Sequence, residues 1–143
     1  MATDRTAEVT WSGSLLEGSG TIDRVGSGAF GPLAVSWPAR AEDQGDKTSP
    51  EELIAAAWAS CYSMALSHGL AGEGHAPERL STSVTVSFQP GTGITRGAIT
   101  VRGSVPGLDE AGFQAAAEAA KSGCPVSKAL AGVPEVTLDA ALG

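Results

Sequence analysis

The 143-residue sequence predicts an α+β fold. Three observations carry that prediction. Apolar and polar residues alternate with the two-residue period of a strand in several separate stretches. One long run, Leu53 to Ser67, holds no glycine, proline or charge and follows a helix cap. The order along the chain is strands, helix, strands, helix, strand, without internal repeats.

The N-terminal strands are expected over residues 6–37 or so. Ala7 to Trp11 alternates, Gly13, Gly18 and Gly20 mark turns or bulges, and Leu33, Val35 and Trp37 alternate again until Pro38. A polar loop covers 40–48. Ser49-Pro50-Glu51-Glu52 then reads as N-cap, proline at the first helical position and a carboxylate that closes a capping box on Ser49. The central helix runs over about 50–68, and a helix apolar nearly all round must be covered on every side. Gly69, Gly72 and Gly74 end it.

A hairpin follows over about 82–105: Val84, Val86 and Phe88 share one face, and Ile99, Val101 and Val105 share another. Residues 109–122 form an Ala-rich helix with Asp109 and Glu110 at its start and Lys121 at its end, the order a helix dipole prefers. Gly123-Cys124-Pro125 interrupts it and opens a short helix over 125–130. A last strand covers about 134–140, and the whole of 1–143 reads as one domain.

Composition excludes several functions. Hydrophobic residues make up 42% and charged residues 17%, which is globular and not disordered. Nine Lys and Arg against sixteen Asp and Glu leave a net charge of −7, against nucleic acid or an anionic membrane as partner. The N-terminus is polar and mixed in charge, without the apolar stretch of a secretory signal. Two cysteines are too few for a disulfide scaffold, so a cytoplasmic location is expected.

Few residues carry reactive chemistry. Cys61 lies mid-helix on a stripe with Leu53, Ala57, Met64 and Ala65, where a thiol commonly serves as a small hydrophobe. Cys124 precedes Pro125 at an expected N-cap, where free amides lower a thiol's pKa. Glu52 has a structural role in the cap that Glu51 lacks, so the Glu51 carboxylate is either a favourable charge in the first helical turn or a group that holds a cation near a thiol. Arg40, after Trp37-Pro38-Ala39, is either an ordinary surface arginine or that cation, with Arg24 as a weaker candidate for the same role. No metal or cofactor is expected. Cys61 and His68 are seven residues apart, about 10 Å along a helix, too far for one tetrahedral zinc, and His75 lies in a Gly-Pro loop. Gly26-Ser27-Gly28 has no lysine-bearing continuation of a phosphate loop.

The stretch TSPEELIAAAWASCYSMAL at 48–66 resembles the central helix of the OsmC/Ohr family, the osmotically inducible and organic hydroperoxide resistance proteins. KSGCPVS at 121–127 resembles that family's second cysteine motif, and EVTL at 135–138 its closing strand. The position of Arg40, just before the loop that leads into the helix, resembles the OsmC branch, whereas the Ohr branch carries its arginine earlier, towards Arg24. The resemblance implies an OsmC-like fold: antiparallel β-sheets packed around a long central apolar helix, in an intertwined homodimer.

It also implies a thiol peroxidase of the stress response. Cys61 would attack the O–O bond of an organic hydroperoxide and become a sulfenic acid, and Cys124 would condense with it to a disulfide. An external dithiol, a dihydrolipoyl group, would reduce that disulfide. Arg40 would ionise the buried thiol and Glu51 would hold the guanidinium. Trp58, Met64 and Leu66 would give an apolar lining suited to an alkyl peroxide. Glu51 and Cys61 lie ten residues apart on one helix, about 15 Å, so a partner's helix crossing in the opposite direction would have to bring the two together. A thiol redox sensor and a non-catalytic binding protein of the same fold are the alternative readings.

Overall fold

The N-terminal alternation folds as an antiparallel meander of β1 (Ala7–Ser12), β2 (Ser19–Val25) and β3 (Leu33–Val35), paired in that order. Gly20 lies inside β2 and not at a turn: a Cβ there would sit 2.6 Å from the Trp11 ring, so only glycine lets the indole lie across the strand. The expected strand through Trp37 stops at Val35. Ser36 caps a short helix α1 (Trp37–Ala41), its hydroxyl accepting from the Ala39 amide, and Pro38 sits in the first turn where its missing N–H costs nothing. Arg40 is therefore helical and not part of the loop.

The structure is a computed structural model that describes residues 1–143, divided into the units Met1–Leu53 and Ile54–Gly143. Helix α2 (Pro50–Gly72) begins in the first and belongs mostly to the second. Ser49 Oγ accepts from the Glu52 amide, one half of the expected capping box. The Glu52 carboxylate instead takes the Thr48 hydroxyl at 3.0 Å and the Gln44 amide, which tie down the preceding loop. Helix α2 passes through Gly69 and ends later than expected. Its left-handed residue is Gly74 (φ +87), with His75 N donating to Leu70 O and Gly74 N to Ala71 O, the two bonds of a Schellman motif.

In the second unit β4 (Arg79–Gln89) and β5 (Gly93–Ser104) form the expected hairpin, and β6 (Glu135–Leu142) joins on the far side of β5. That last pairing is parallel, which corrects the expectation of purely antiparallel sheets. The connection from β5 to β6 runs through α3 (Glu110–Gly123) and α4 (Pro125–Ala129), the helical crossover that parallel neighbours require. Asp109 caps α3 by accepting from the Gly112 amide.

The core of this unit lies between the sheet and the helices. Trp58, Tyr62, Leu66 and Leu70, four residues apart on α2, are fully buried with Ile99 and Val101 of β5, Phe113 of α3 and Cys124. Gly97 and Gly103 complete the inward face of β5, because a Cβ there would lie 2.5 Å from the Trp58 ring and 2.6 Å from the Phe113 ring. Helix α2 is not covered on every side. Ala56, Ala57, Ser60 and Met64 are exposed on its other face, Met64 at 72%. The second unit offers one sheet and two further helices, too few layers to enclose an apolar helix all round.

Candidate active site

Two motifs far apart in sequence meet here. Cys61 is half-buried on α2, one residue before the Tyr62 of the core stripe, so its side chain points beside the core and not into it. Cys124 is fully buried at the junction of α3 and α4, closing one helix through its amide to Ala120 O and opening the next before Pro125. Both are free thiols, near enough that each shifts the ionisation of the other.

Their environments push the two thiols apart. Burial raises Cys61, the Val126 amide pulls it partly back, and Cys124 raises it further. Burial also pushes Cys124 up, but the Ser127 amide, the Cys61 thiol, the Ser127 hydroxyl and the Val126 amide together hold it below the ordinary thiol value. Cys124 makes no regular side-chain cap bond, although those amides favour its ionised form. Tyr62 is raised by burial, chiefly, and its hydroxyl donates to Ala117 O at 2.9 Å.

Cys61 opens onto a cleft of about 560 Å³ whose walls are Met64, Ala65, Gly69, Ala116, Ala119 and Pro125, with His68 and Glu73 among its polar lining residues. The cleft is apolar, as the sequence suggested, but two of the three residues expected to line it do not. Trp58 and Leu66 are each 1% exposed and belong to the core, because their side of α2 faces the sheet; only Met64 reaches the cleft.

Arg40 and Glu51 form the pair the sequence anticipated, within the first unit. Arg40 Nη2 donates to Glu51 Oε1 at 2.7 Å and Nε to Oε1 and Oε2 at 3.0 and 3.2 Å. Glu51 is 6% exposed, a burial that a carboxylate tolerates only with a partner. Arg24 pairs with Glu8 at 2.9 Å across β1 and β2, both on the surface. Of the two candidate arginines, it is Arg40 that meets Glu51.

Sequence reasoning missed Ser127. Its Oγ accepts the Trp58 indole N–H at 2.7 Å and stands beside Cys124. Two signals were available: a serine three residues after a helix-opening cysteine, and a tryptophan in an apolar helix whose N–H needs an acceptor. No cluster of three or more His, Cys, Asp or Glu stands together to hold a metal ion, and no helix is long and apolar enough to cross a membrane.

A family model described as OsmC-like protein matches residues 43–139, the span that holds Glu51 and both cysteines. The chain belongs to the OsmC-like family. It is 38% identical to the peroxiredoxin OsmC of Escherichia coli (strain K12), over 97% of this chain and 96% of that protein. It is 34% identical to an organic hydroperoxide resistance protein of Xanthomonas axonopodis pv. citri, over 66% of this chain and 67% of that protein. The wider match to the OsmC protein agrees with the branch that the position of Arg40 indicated. The fold of this OsmC-like chain is shared by an organic hydroperoxide resistance protein OsmC from Legionella pneumophila, whose crystal structure superposes with a TM-score of 0.68 at 24% identity, covering 95% of this chain and 96% of that one.

Proposed function

We propose that this OsmC-like chain is a thiol peroxidase that reduces organic hydroperoxides to alcohols. The single observation that carries the reading is a pair of neighbouring free thiols, of which Cys61 lines an apolar cleft and Cys124 is buried behind it. The likeness to a peroxiredoxin along nearly the whole chain supports the same chemistry. The Cys61 thiolate attacks the distal peroxide oxygen, the O–O bond breaks, and the alkoxide leaves as alcohol after taking a proton. Cys61 becomes a sulfenic acid. The Cys124 thiolate then attacks the Cys61 sulfur and expels hydroxide, which is protonated to water, and a Cys61–Cys124 disulfide remains. A dithiol such as a dihydrolipoyl group returns both thiols.

Cys61 needs a cation for the first step, since burial disfavours its thiolate. Arg40, oriented by Glu51, is the proposed source, and the same guanidinium steadies the developing alkoxide. Ten residues of helix between Glu51 and Cys61 favour delivery from a second copy of the chain. The exposed small residues Ala56, Ala57 and Ser60 and the exposed Met64 support such a homodimer through α2, as do Val9, Leu15 and Leu16, exposed in the N-terminal unit.

Stoichiometric tert-butyl hydroperoxide tests the order of events. The reduced protein is expected to lose two thiols and to yield a Cys61–Cys124 peptide pair by mass spectrometry. In Cys124→Ser, a 1,3-dione probe is expected to label Cys61 alone. Labelling of Cys124 in Cys61→Ser at a comparable rate would reverse the assigned roles.

A further inference from the structure

The hydrogen bond from Trp58 to Ser127 has no part in the peroxide step, yet it ends beside a reactive sulfur. Trp58 is 1% exposed and sits on the core side of α2, held by the absence of a side chain at Gly97. An indole N–H can only donate, and here it donates to Ser127 Oγ at 2.7 Å. That bond occupies an acceptor site of the hydroxyl and directs its own hydrogen away from the indole. Ser127 follows Cys124 by three residues across the first turn of α4, the spacing at which two side chains of a helix start face each other. Cys124 in turn lies near enough to Cys61 for each thiol to shift the other.

We infer that Ser127 is a positioning residue for Cys124: fixed by the Trp58 indole, its hydroxyl donates to the Cys124 sulfur and holds it as a thiolate directed at Cys61. Trp58, Ser127, Cys124 and Cys61 thus form one line of neighbours from the core to the cleft. The Ser127 hydroxyl is one of the groups that hold Cys124 below the ordinary thiol value, alongside the Ser127 amide, the Cys61 thiol and the Val126 amide. Among titratable side chains Cys61 of α2 acts on Cys124, and Cys124 in turn raises Tyr62. The Tyr62 hydroxyl is already committed to Ala117 O, so it cannot replace Ser127 as donor. The device serves disulfide formation: Cys124–S⁻ attacks Cys61–SOH, the S–S bond forms, the S–O bond breaks and hydroxide leaves. It rests on the peroxidase reading only for the source of the sulfenic acid.

Two measurements separate the inference from that reading. First, thiolate absorbance at 240 nm is titrated in Cys61→Ser with and without Ser127→Ala, which follows Cys124 without any peroxide. Loss of a hydrogen bond to a charged sulfur is expected to move the midpoint up by about one pH unit, the equivalent of about tenfold in ionisation. Second, rapid-mixing kinetics in the otherwise unaltered protein follow sulfenic acid and disulfide separately. Ser127→Ala is expected to slow disulfide formation about tenfold at neutral pH, so that the Cys61 sulfenic acid accumulates. Ser127→Thr restores both quantities because it keeps the hydroxyl, and Trp58→Phe reproduces the defect in part. An unmoved Cys124 midpoint in Ser127→Ala overturns the inference, as does a threonine variant no better than alanine. A Cys61 that resists hydroperoxide while the midpoint still moves contradicts the peroxidase reading alone.

Discussion

Arg40 illustrates what one residue's surroundings decide. It stands in a three-bond clasp with a buried carboxylate, whereas Arg24 shares an exposed pair with Glu8. Arg40→Ala is expected to lower the rate of Cys61 oxidation by roughly a hundredfold, the scale for losing one preorganised donor to developing negative charge. Arg24→Ala is expected to leave that rate unchanged; equal effects would remove Arg40 from the mechanism. The pH dependence has a definite sign. Burial raises Cys61, so its charged form is scarce at neutral pH and the rate rises with pH through the Cys61 pKa. Removing a cation raises that pKa further, so the rise in Arg40→Ala shifts to higher pH, as stopped-flow rates across pH would show. At this scale much was legible in the sequence: the capping residues singled out Glu51 as the uncommitted carboxylate, and both cysteines stood in recognisable motifs. Ser127 was not, because its role depends on a tryptophan 69 residues away.

Helices and strands show where local rules stop. The period of α2, its cap and its apolar character were readable, but its two faces were not distinguished by periodicity, since apolar residues lie on both. Only the partners of Trp58, Tyr62, Leu66 and Leu70 reveal which face meets the sheet. The parallel pairing of β6 was likewise hidden, because strand direction follows from the α3–α4 crossover and not from alternation within the strand. Gly97 is where the Trp58 ring of α2 lies against the backbone of β5. Gly97→Ala is expected to force the Trp58 ring aside and destabilise the protein by ~1–3 kcal/mol, read from the urea midpoint. An unchanged midpoint would mean that the ring moves without cost and that Gly97 does not set its place.

For the whole molecule, the exposed apolar surface is the informative quantity. Met64 is 72% exposed, Leu16 67% and Val9 59%, which is costly for a chain that remains alone in water. Sedimentation at micromolar concentration is expected to show a dimer, and Ala57→Glu on the open face of α2 is expected to weaken it and lower peroxidase turnover together. A monomer with full turnover would end the shared-site proposal while leaving the thiol chemistry in place. The direct test of that chemistry is steady-state consumption of tert-butyl hydroperoxide with dihydrolipoamide as reductant, comparing the unaltered protein with Cys61→Ser. Sustained turnover, lost completely in the variant, is the predicted result. Oxidation that stops after one equivalent while dithiol is still present would contradict a peroxidase and leave a protein that senses peroxide without consuming it.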